Sequence, residues 1–236
     1  MMPCPADRGG LAGWTLAVSS RNVDARGQPR RPSALNPRRM PPLPPVTQAL
    51  MLICTAVFCA QQFTLLTDLW FALWPISSGR FAPWQLLSYA FLHGGFGHLF
   101  FNMLAIWMFG SELERLWGGR RYIYLLLASV LTAALVQLLL TTLLGSNAPT
   151  VGASGAVFGL LLCYGVLFPN RTVMLLIPPI PMKARTLVIV FGVLELFLGV
   201  YNSGDGVAHF AHLGGMLGAW LLLLHWRGRL PFSRRR

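Results

Sequence analysis

The sequence predicts an all-α membrane protein built as a bundle of six transmembrane helices. The chain of 236 residues is 55% hydrophobic and only 11% charged, whereas a soluble domain carries roughly 25% charged residues. The hydrophobic residues are concentrated in six runs, and the longer runs reach the roughly 20 residues that a helix needs to cross a bilayer. Length and composition together leave room for one membrane bundle with polar tails.

The six apolar runs are separated by stretches that contain glycine, proline or charged residues. They cover Val46–Thr67, His93–Gly110, Tyr122–Gly145, Ser154–Phe168, Thr186–Tyr201 and His209–Trp226. The fourth and fifth runs are short and need flanking residues to span a bilayer. The connection between them contains Pro178, Pro179 and Pro181, which exclude a continuous helix there. The first connection, Asp68–Leu92, is dense in aromatic residues and is interpreted as a loop partly in the membrane interface.

The distribution of basic residues supports six spans and indicates an orientation. With six spans, both tails lie on the same side of the membrane as the second and fourth connections. Every Lys and Arg residue except Arg80 falls in those four stretches. Because basic residues are retained on the cytoplasmic side, we expect both termini in the cytoplasm. Anionic lipid headgroups account for the net charge of +12, so the charge requires no nucleic-acid partner.

The chain divides into one membrane domain and two basic tails. Residues 1–44 are rich in proline, arginine and glycine, and we expect a disordered cytoplasmic tail there. Residues 45–227 hold all six runs, and residues 228–236 form the second cytoplasmic tail. Met40, just before the first run, is a candidate for an alternative start of translation. The tail does not resemble an amphipathic organellar presequence, which favours a bacterial plasma membrane.

Three of the apolar runs carry polar side chains near their start. His98 and Asn102 lie four residues apart in the second run. Ser154 opens the fourth run, and His212 lies near the start of the sixth. Polar groups are costly in hydrocarbon, so each is a candidate functional residue. The second, fourth and sixth helices all run inwards, so we expect these residues to share one depth near the outer surface.

The residue types at these positions are those of a serine hydrolase. A serine hydroxyl becomes an effective nucleophile when a base removes its proton. A neutral histidine such as His212 suits that role and can later protonate the leaving amine. The helix that begins at Ser154 has unpaired backbone N–H groups and the positive end of its dipole beside this residue. Both favour an oxyanion that forms there during the reaction. His98 and Asn102 share one helix face and can donate hydrogen bonds to the same oxyanion.

Two polar residues near the predicted base have less defined roles. Glu195 lies in the fifth run and is interpreted as an interhelical hydrogen-bond partner, a group that faces a wet cavity, or a proton relay. His209, three residues before His212, is expected to have a supporting role or none. Since the sequence places no carboxylate clearly beside His212, it favours a Ser–His dyad over a triad.

Small residues in the fourth and sixth runs predict that these two helices approach closely. Gly155 and Gly159 form one GxxxG pair, and Gly214 and Gly218 form another. Such pairs let the backbones of membrane helices come into contact. A hydrogen bond between Ser154 and a histidine on the sixth helix requires this proximity.

This combination of motifs resembles the rhomboid family of intramembrane serine proteases. The matching residues are His98-xxx-Asn102, Gly152-Ala153-Ser154-Gly155 and Ala211-His212-Leu213-Gly214-Gly215. The resemblance covers roughly residues 46–226. It implies a six-helix rhomboid-like bundle whose active site lies below the outer surface and is open to water. It also implies Ser154 as nucleophile, His212 as general base, and His98 and Asn102 with the Ser154 amide as the oxyanion site.

The resemblance further implies that the substrates are transmembrane proteins, cut in or near the membrane. Besides these substrates, the expected partners are membrane lipids. No metal or organic cofactor is expected. Two alternatives remain at this stage. One is a catalytically silent rhomboid-like protein that binds membrane proteins, and the other is a transporter that uses Glu195 and the histidines as a proton path.

Overall fold

A computed structural model describes residues 42–64, 66–176, 179–201 and 208–228 of the chain. The predicted tails lie almost entirely outside the described residues, as do Met40 and residues 202–207. The described residues from Leu43 onward form one compact, mostly helical unit. Its described α-helices are α1 (Pro45–Gln61), α2 (Leu66–Phe71), α3 (Gln85–Ser88), α4 (Phe96–Ala105), α5 (Ser111–Leu144), α6 (Ser154–Leu167), α7 (Ala184–Tyr201) and α8 (His209–Trp226).

Each predicted apolar run contains a helix, but several boundaries differ from the prediction. The first helix ends at Gln61, and the aromatic connection that follows holds the short helices α2 and α3. The second run continues from α4 through a π-helical turn, Ile106–Gly110, into α5. Gly118 has a φ of 78° and a ψ of 159°, which breaks α5 into two segments. The second and third runs are therefore joined by a sharp kink.

The connection between α6 and α7 is a short β-hairpin. Strands β1 (Thr172–Met174) and β2 (Pro181–Lys183) pair antiparallel, with Val173 opposite Met182. The prolines in this connection were predicted to exclude a continuous helix, and the described residues are extended rather than helical. The all-α prediction is therefore right for the bundle and wrong for this hairpin.

Two described helical stretches are long and apolar enough to cross a membrane. They are residues 96–144, which include the kink at Gly118, and α7. The helices α1 and α6 are apolar but have only 17 and 14 residues. Helix length and composition thus do not establish all six spans. The six-span count stays a prediction.

The core of the bundle lies where α5, α6 and α8 pack against one another. Leu125 from α5 and Leu160 from α6 are fully buried in it, and Leu223 from α8 is nearly so. Helix α7 packs on α6 and α8 at the periphery. Its outer face exposes large apolar side chains such as Ile189 and Phe197. An extensive exposed apolar surface is costly in water and is suited to a lipid environment.

Glycine residues bring the backbones of α6 and α8 into direct contact. A Cβ atom on Gly215 would overlap the carbonyl group of Gly155. One turn further along α6, a Cβ atom on Gly159 would collide with Ser129 of α5 and lie 3.1 Å from the carbonyl oxygen of Gly215. Gly214 faces the backbone of α5 instead of α6. The predicted close approach is therefore present, but it depends on Gly215 rather than on the Gly214–Gly218 pair.

A buried carboxylate ties the start of α1 to α5. Both Oε atoms of Glu114 accept hydrogen bonds from backbone amides, those of Val46 at 2.9 Å and Thr47 at 2.7 Å. The hydroxyl of Thr47 donates a third bond to Glu114 at 2.7 Å. The first amides of a helix have no partner within the helix, and a negative charge at this end is stabilised by the helix dipole. Glu114 thus acts as the N-terminal cap of α1.

We expect Glu114→Ala to lower the free energy of unfolding by about 2–4 kcal/mol, because it leaves buried amides and a buried hydroxyl without a partner. The matched control is Glu112→Ala on the same helix, whose carboxylate pairs with Arg171 at the surface and contributes at most about 1 kcal/mol. Denaturant titration in detergent micelles measures both. Equal losses for the two variants would contradict the capping role.

We expect Gly215→Ala to destabilise the bundle by about 1–3 kcal/mol, because the added methyl group forces α8 away from α6. The control is Gly192→Ala on α7, where a Cβ atom would lie 3.6 Å from the Met216 side chain, an ordinary contact. The control should be as stable as the wild type or more stable by up to about 1 kcal/mol, since alanine favours a helix over glycine where there is room. The same titration in micelles compares the two variants, and an unaffected Gly215→Ala would argue against backbone contact.

Candidate active site

Backbone hydrogen bonds fix the loop that leads into α6. The amide and carbonyl groups of Leu73 and Thr150 exchange two bonds, of 3.0 and 2.9 Å. The amide of Gly152 donates to the carbonyl oxygen of Tyr89 at 2.9 Å. Gly152 has a φ of 128°, which residues with a side chain rarely adopt. The chain therefore turns sharply at Gly152, and α6 begins at Ser154.

The structure brings Ser154 and His212 together across the contact of α6 with α8. The Oγ atom of Ser154 lies 2.8 Å from the Nε2 atom of His212. The imidazole of His212 is buried and stacks on the ring of Phe158, with centroids 4.4 Å apart and planes inclined by 6°. Phe158 packs in turn against Phe191 of α7. Two residues that are 58 positions apart in sequence thus form one hydrogen-bonded pair.

His98 lies beside the same serine. A Cβ atom at Gly152 would lie 2.7 Å from the Nε2 atom of His98 and 3.6 Å from the Oγ atom of Ser154. The Nδ1 atom of His98 accepts a hydrogen bond of 3.3 Å from the amide of Gly94. In a neutral imidazole the hydrogen is then on Nε2. His98 therefore presents an N–H donor near the hydroxyl of Ser154.

Asn102 lies one turn further along α4, on the same face as His98. Its side chain is buried, and Nδ2 donates a hydrogen bond of 2.8 Å to the carbonyl oxygen of His98. This bond uses one of the two hydrogens on Nδ2. Asn102 and Ser154 line the same cavity. All four predicted site residues therefore surround one region at the start of α6.

Glu195 is the residue whose position the sequence did not reveal. Its Oε2 atom lies 2.8 Å from Nδ1 of His212 and 2.7 Å from Nδ1 of His209. The interpretation of Glu195 as an interhelical hydrogen-bond partner is therefore confirmed, whereas the sequence had placed no carboxylate clearly beside His212. A charged residue in an apolar run was the only signal for Glu195. Its partner depends on how α7 packs against α8, which the sequence does not specify.

Two cavities meet at Ser154. One has a volume of about 590 Å³, lies between α4, α6, α7 and β1, and has a mainly apolar lining that includes Phe101, Trp107, Leu161 and Phe191. The other, of about 550 Å³, is more polar. Its lining residues include His98, Gln137, Thr150, Ser154 and His212. Ser154 thus borders both an apolar space and a more polar one.

Comparisons with known sequences give the same family as the motifs. The sequence model of the Rhomboid domain matches residues 80–228. Rhomboid protein 1, mitochondrial, of Saccharomyces cerevisiae is 37% identical over 99 residues, which are 41% of this chain and 29% of that protein. Rhomboid protease GluP of Bacillus subtilis is 34% identical over 141 residues, or 58% of this chain and 25% of that protein.

Rhomboid protease GlpG of Serratia proteamaculans aligns over a longer part of the chain. It is 31% identical over 193 residues, which are 78% of this chain and 63% of that protein. The chain therefore spans less than two thirds of the length of each of these relatives. The matched domain covers more than half of the chain and contains the four predicted site residues and Glu195. The chain belongs to the rhomboid family of integral membrane proteins.

Proposed function

We propose that this chain is an intramembrane serine endopeptidase that hydrolyses peptide bonds in or near the transmembrane segments of membrane proteins. The observation that carries the proposal is the hydrogen bond of 2.8 Å between Ser154 and His212. A hydroxyl in contact with an imidazole acceptor is the arrangement of an activated nucleophile. The Rhomboid domain match and the names of two relatives, both called rhomboid proteases, support the same activity.

In the first half of the reaction, Oγ of Ser154 attacks the carbonyl carbon of the scissile bond while its proton passes to Nε2 of His212. The carbonyl π electrons move onto oxygen, which becomes an oxyanion. As this intermediate collapses, the C–N bond breaks and the proton on Nε2 passes to the leaving amine. Water, deprotonated by His212, then cleaves the acyl ester and restores the hydroxyl of Ser154.

The oxyanion is expected to lie between the start of α6 and α4. The amide of Ser154 is among the first of α6 and has no acceptor within the helix. Nε2–H of His98 and the second hydrogen on Nδ2 of Asn102 can add two further bonds. Donors fixed in place before the reaction lower the barrier because they need no rearrangement when charge develops.

The two cavities suit the two reactants. The apolar cavity of about 590 Å³ is large enough for apolar side chains of a transmembrane segment next to Ser154. The more polar cavity of about 550 Å³, which His212 also lines, suits the water needed for deacylation. Hydrolysis inside a membrane requires that water reach a site to which the substrate comes from lipid, and the presence of these two spaces at Ser154 supports the proposal.

We also propose that the bundle has six spans, with both termini in the cytoplasm of a bacterial cell. The segregation of basic residues supports this orientation. Helices α4, α6 and α8 then enter from the outer surface, and the start of each carries a predicted site residue. Residues 45–227 form the protease domain in this proposal, flanked by the two basic tails. Two of the relatives above come from bacteria.

We expect Ser154→Ala and His212→Ala each to abolish cleavage of a reporter transmembrane substrate by the purified protein. Ser154→Ala should also abolish covalent labelling by a fluorophosphonate probe. Matched controls are Ser77→Ala in an exposed loop and His225→Ala at the exposed end of α8, both of which should retain full activity. Thermal unfolding in micelles checks that the bundle remains folded.

Persistent cleavage by Ser154→Ala would overturn the proposed mechanism. A wild-type protein that neither cleaves nor reacts with the probe would favour the silent binder. Proton movement across sealed vesicles that is retained in Ser154→Ala would instead favour the transporter.

We expect His98→Ala and Asn102→Ala to lower kcat by about 100- to 1,000-fold each, the usual effect of removing one oxyanion donor. KM should change little, since these bonds form only in the transition state. Steady-state cleavage of the reporter substrate in micelles separates the two constants. A rise in KM with an unchanged kcat would indicate that the two side chains only bind the substrate.

A further inference from the structure

We propose that Glu195 is the positioning carboxylate of His212, so that the site operates as a Ser154–His212–Glu195 triad in which His209 holds Glu195 in place. The inference rests on the proposed proteolysis and extends it. It starts from the hydrogen bond of 2.8 Å between Oε2 of Glu195 and Nδ1 of His212. This bond lies on the opposite side of the imidazole from Ser154.

The bond to Glu195 determines which nitrogen of His212 carries the hydrogen. An ionised carboxylate can only accept hydrogen bonds, so Nδ1 of His212 must be the donor. Nε2 of the neutral ring is then unprotonated and free to accept the proton of Ser154. Without the carboxylate, the ring could equally carry its hydrogen on Nε2, where it cannot serve as the base.

The position of Glu195 also favours the charge that develops during the reaction. When His212 takes the proton of Ser154 it becomes an imidazolium ion, and its Nδ1–H bond to the carboxylate becomes a bond between opposite charges. The ionised acceptor already makes this bond about twice as strong as a neutral one, and the positive charge on the ring adds an attraction between ions. The side chain of Glu195 is only 13% exposed, so water screens this interaction weakly. Glu195 remains ionised throughout and takes up no proton.

His209 fixes the orientation of the same carboxylate. Its Nδ1 atom lies 2.7 Å from Oε2 of Glu195, and its side chain is only 4% exposed. Both bonds of Glu195 therefore join α7 to the first turn of α8. Phe158 holds the ring plane of His212 from α6. The imidazole is thus fixed at its face and at both nitrogens by residues from two neighbouring helices.

Glu195→Gln should lower kcat for the reporter substrate by about 100- to 10,000-fold, the range expected when a histidine base loses the carboxylate that sets its tautomer. KM should stay within about threefold, since Glu195 does not contact the substrate. Glu195→Asp keeps the charge and should recover most of the lost activity. The control Glu112→Gln, which changes a surface carboxylate, should have wild-type kinetics.

A spectroscopic measurement tests the inference without requiring activity. In protein with ¹⁵N-labelled histidine, we expect His212 to be in the Nδ1–H form, with its signal assigned from His212→Ala. Glu195→Gln should shift or remove this signal. A His212 in the Nε2–H form in the wild type would overturn the inference even if Glu195→Gln fails to fold. So would a kcat of Glu195→Gln equal to that of the wild type.

The side chains of Glu195, His209 and His212 offer three ligand atoms within 4.8 Å of one another. Such a set would also suit a divalent metal such as zinc. We therefore include a chelation experiment. Dialysis of the wild type against EDTA should leave kcat unchanged if Glu195 acts by hydrogen bonding alone. Activity that is lost on chelation and restored by zinc would overturn the positioning role.

A wild type that does not cleave at all would refute the proposed function, whereas the NMR result would still decide the role of Glu195.

Discussion

The contact between the backbones of α6 and α8 is the constraint on which the rest of the site depends. At Gly155 and Gly215 even a methyl group has no room. Only this proximity lets the short side chain of Ser154 reach an imidazole on another helix at 2.8 Å. In lipid, helices gain little from burying apolar side chains against each other, so close packing of small residues is a major source of association. The same contact therefore stabilises the bundle and sets the geometry of the site.

Two carboxylates within the apolar bundle are held by partners from other helices. Glu114 binds the first amides of α1, and Glu195 accepts bonds from two histidines of α8. A carboxylate without a partner in such surroundings would be very unfavourable. The two residues differ in what they hold. Glu114 fixes a helix end, whereas Glu195 fixes a side chain that faces the candidate nucleophile.

The helices of the bundle and four candidate site residues were predictable from local patterns. Apolar runs indicated the helices, and polar residues near the starts of three runs indicated one common depth. The predicted boundaries were less accurate, because α1 ends early and a kink at Gly118 joins two runs. The hairpin between α6 and α7 was also missed, since its strands have only three residues each.

The sequence by itself determined the residue types of the site and the order of the helices that carry them, because hydropathy and short motifs are local properties of the chain. Only the tertiary structure decided which side chains meet. The rotation of α7 against α8 brings Glu195 to Nδ1 of His212, and the register of α6 on α8 selects Gly215 rather than Gly214 for the contact. Rotation and register depend on the packing of many side chains at once, and no single segment of sequence contains that information.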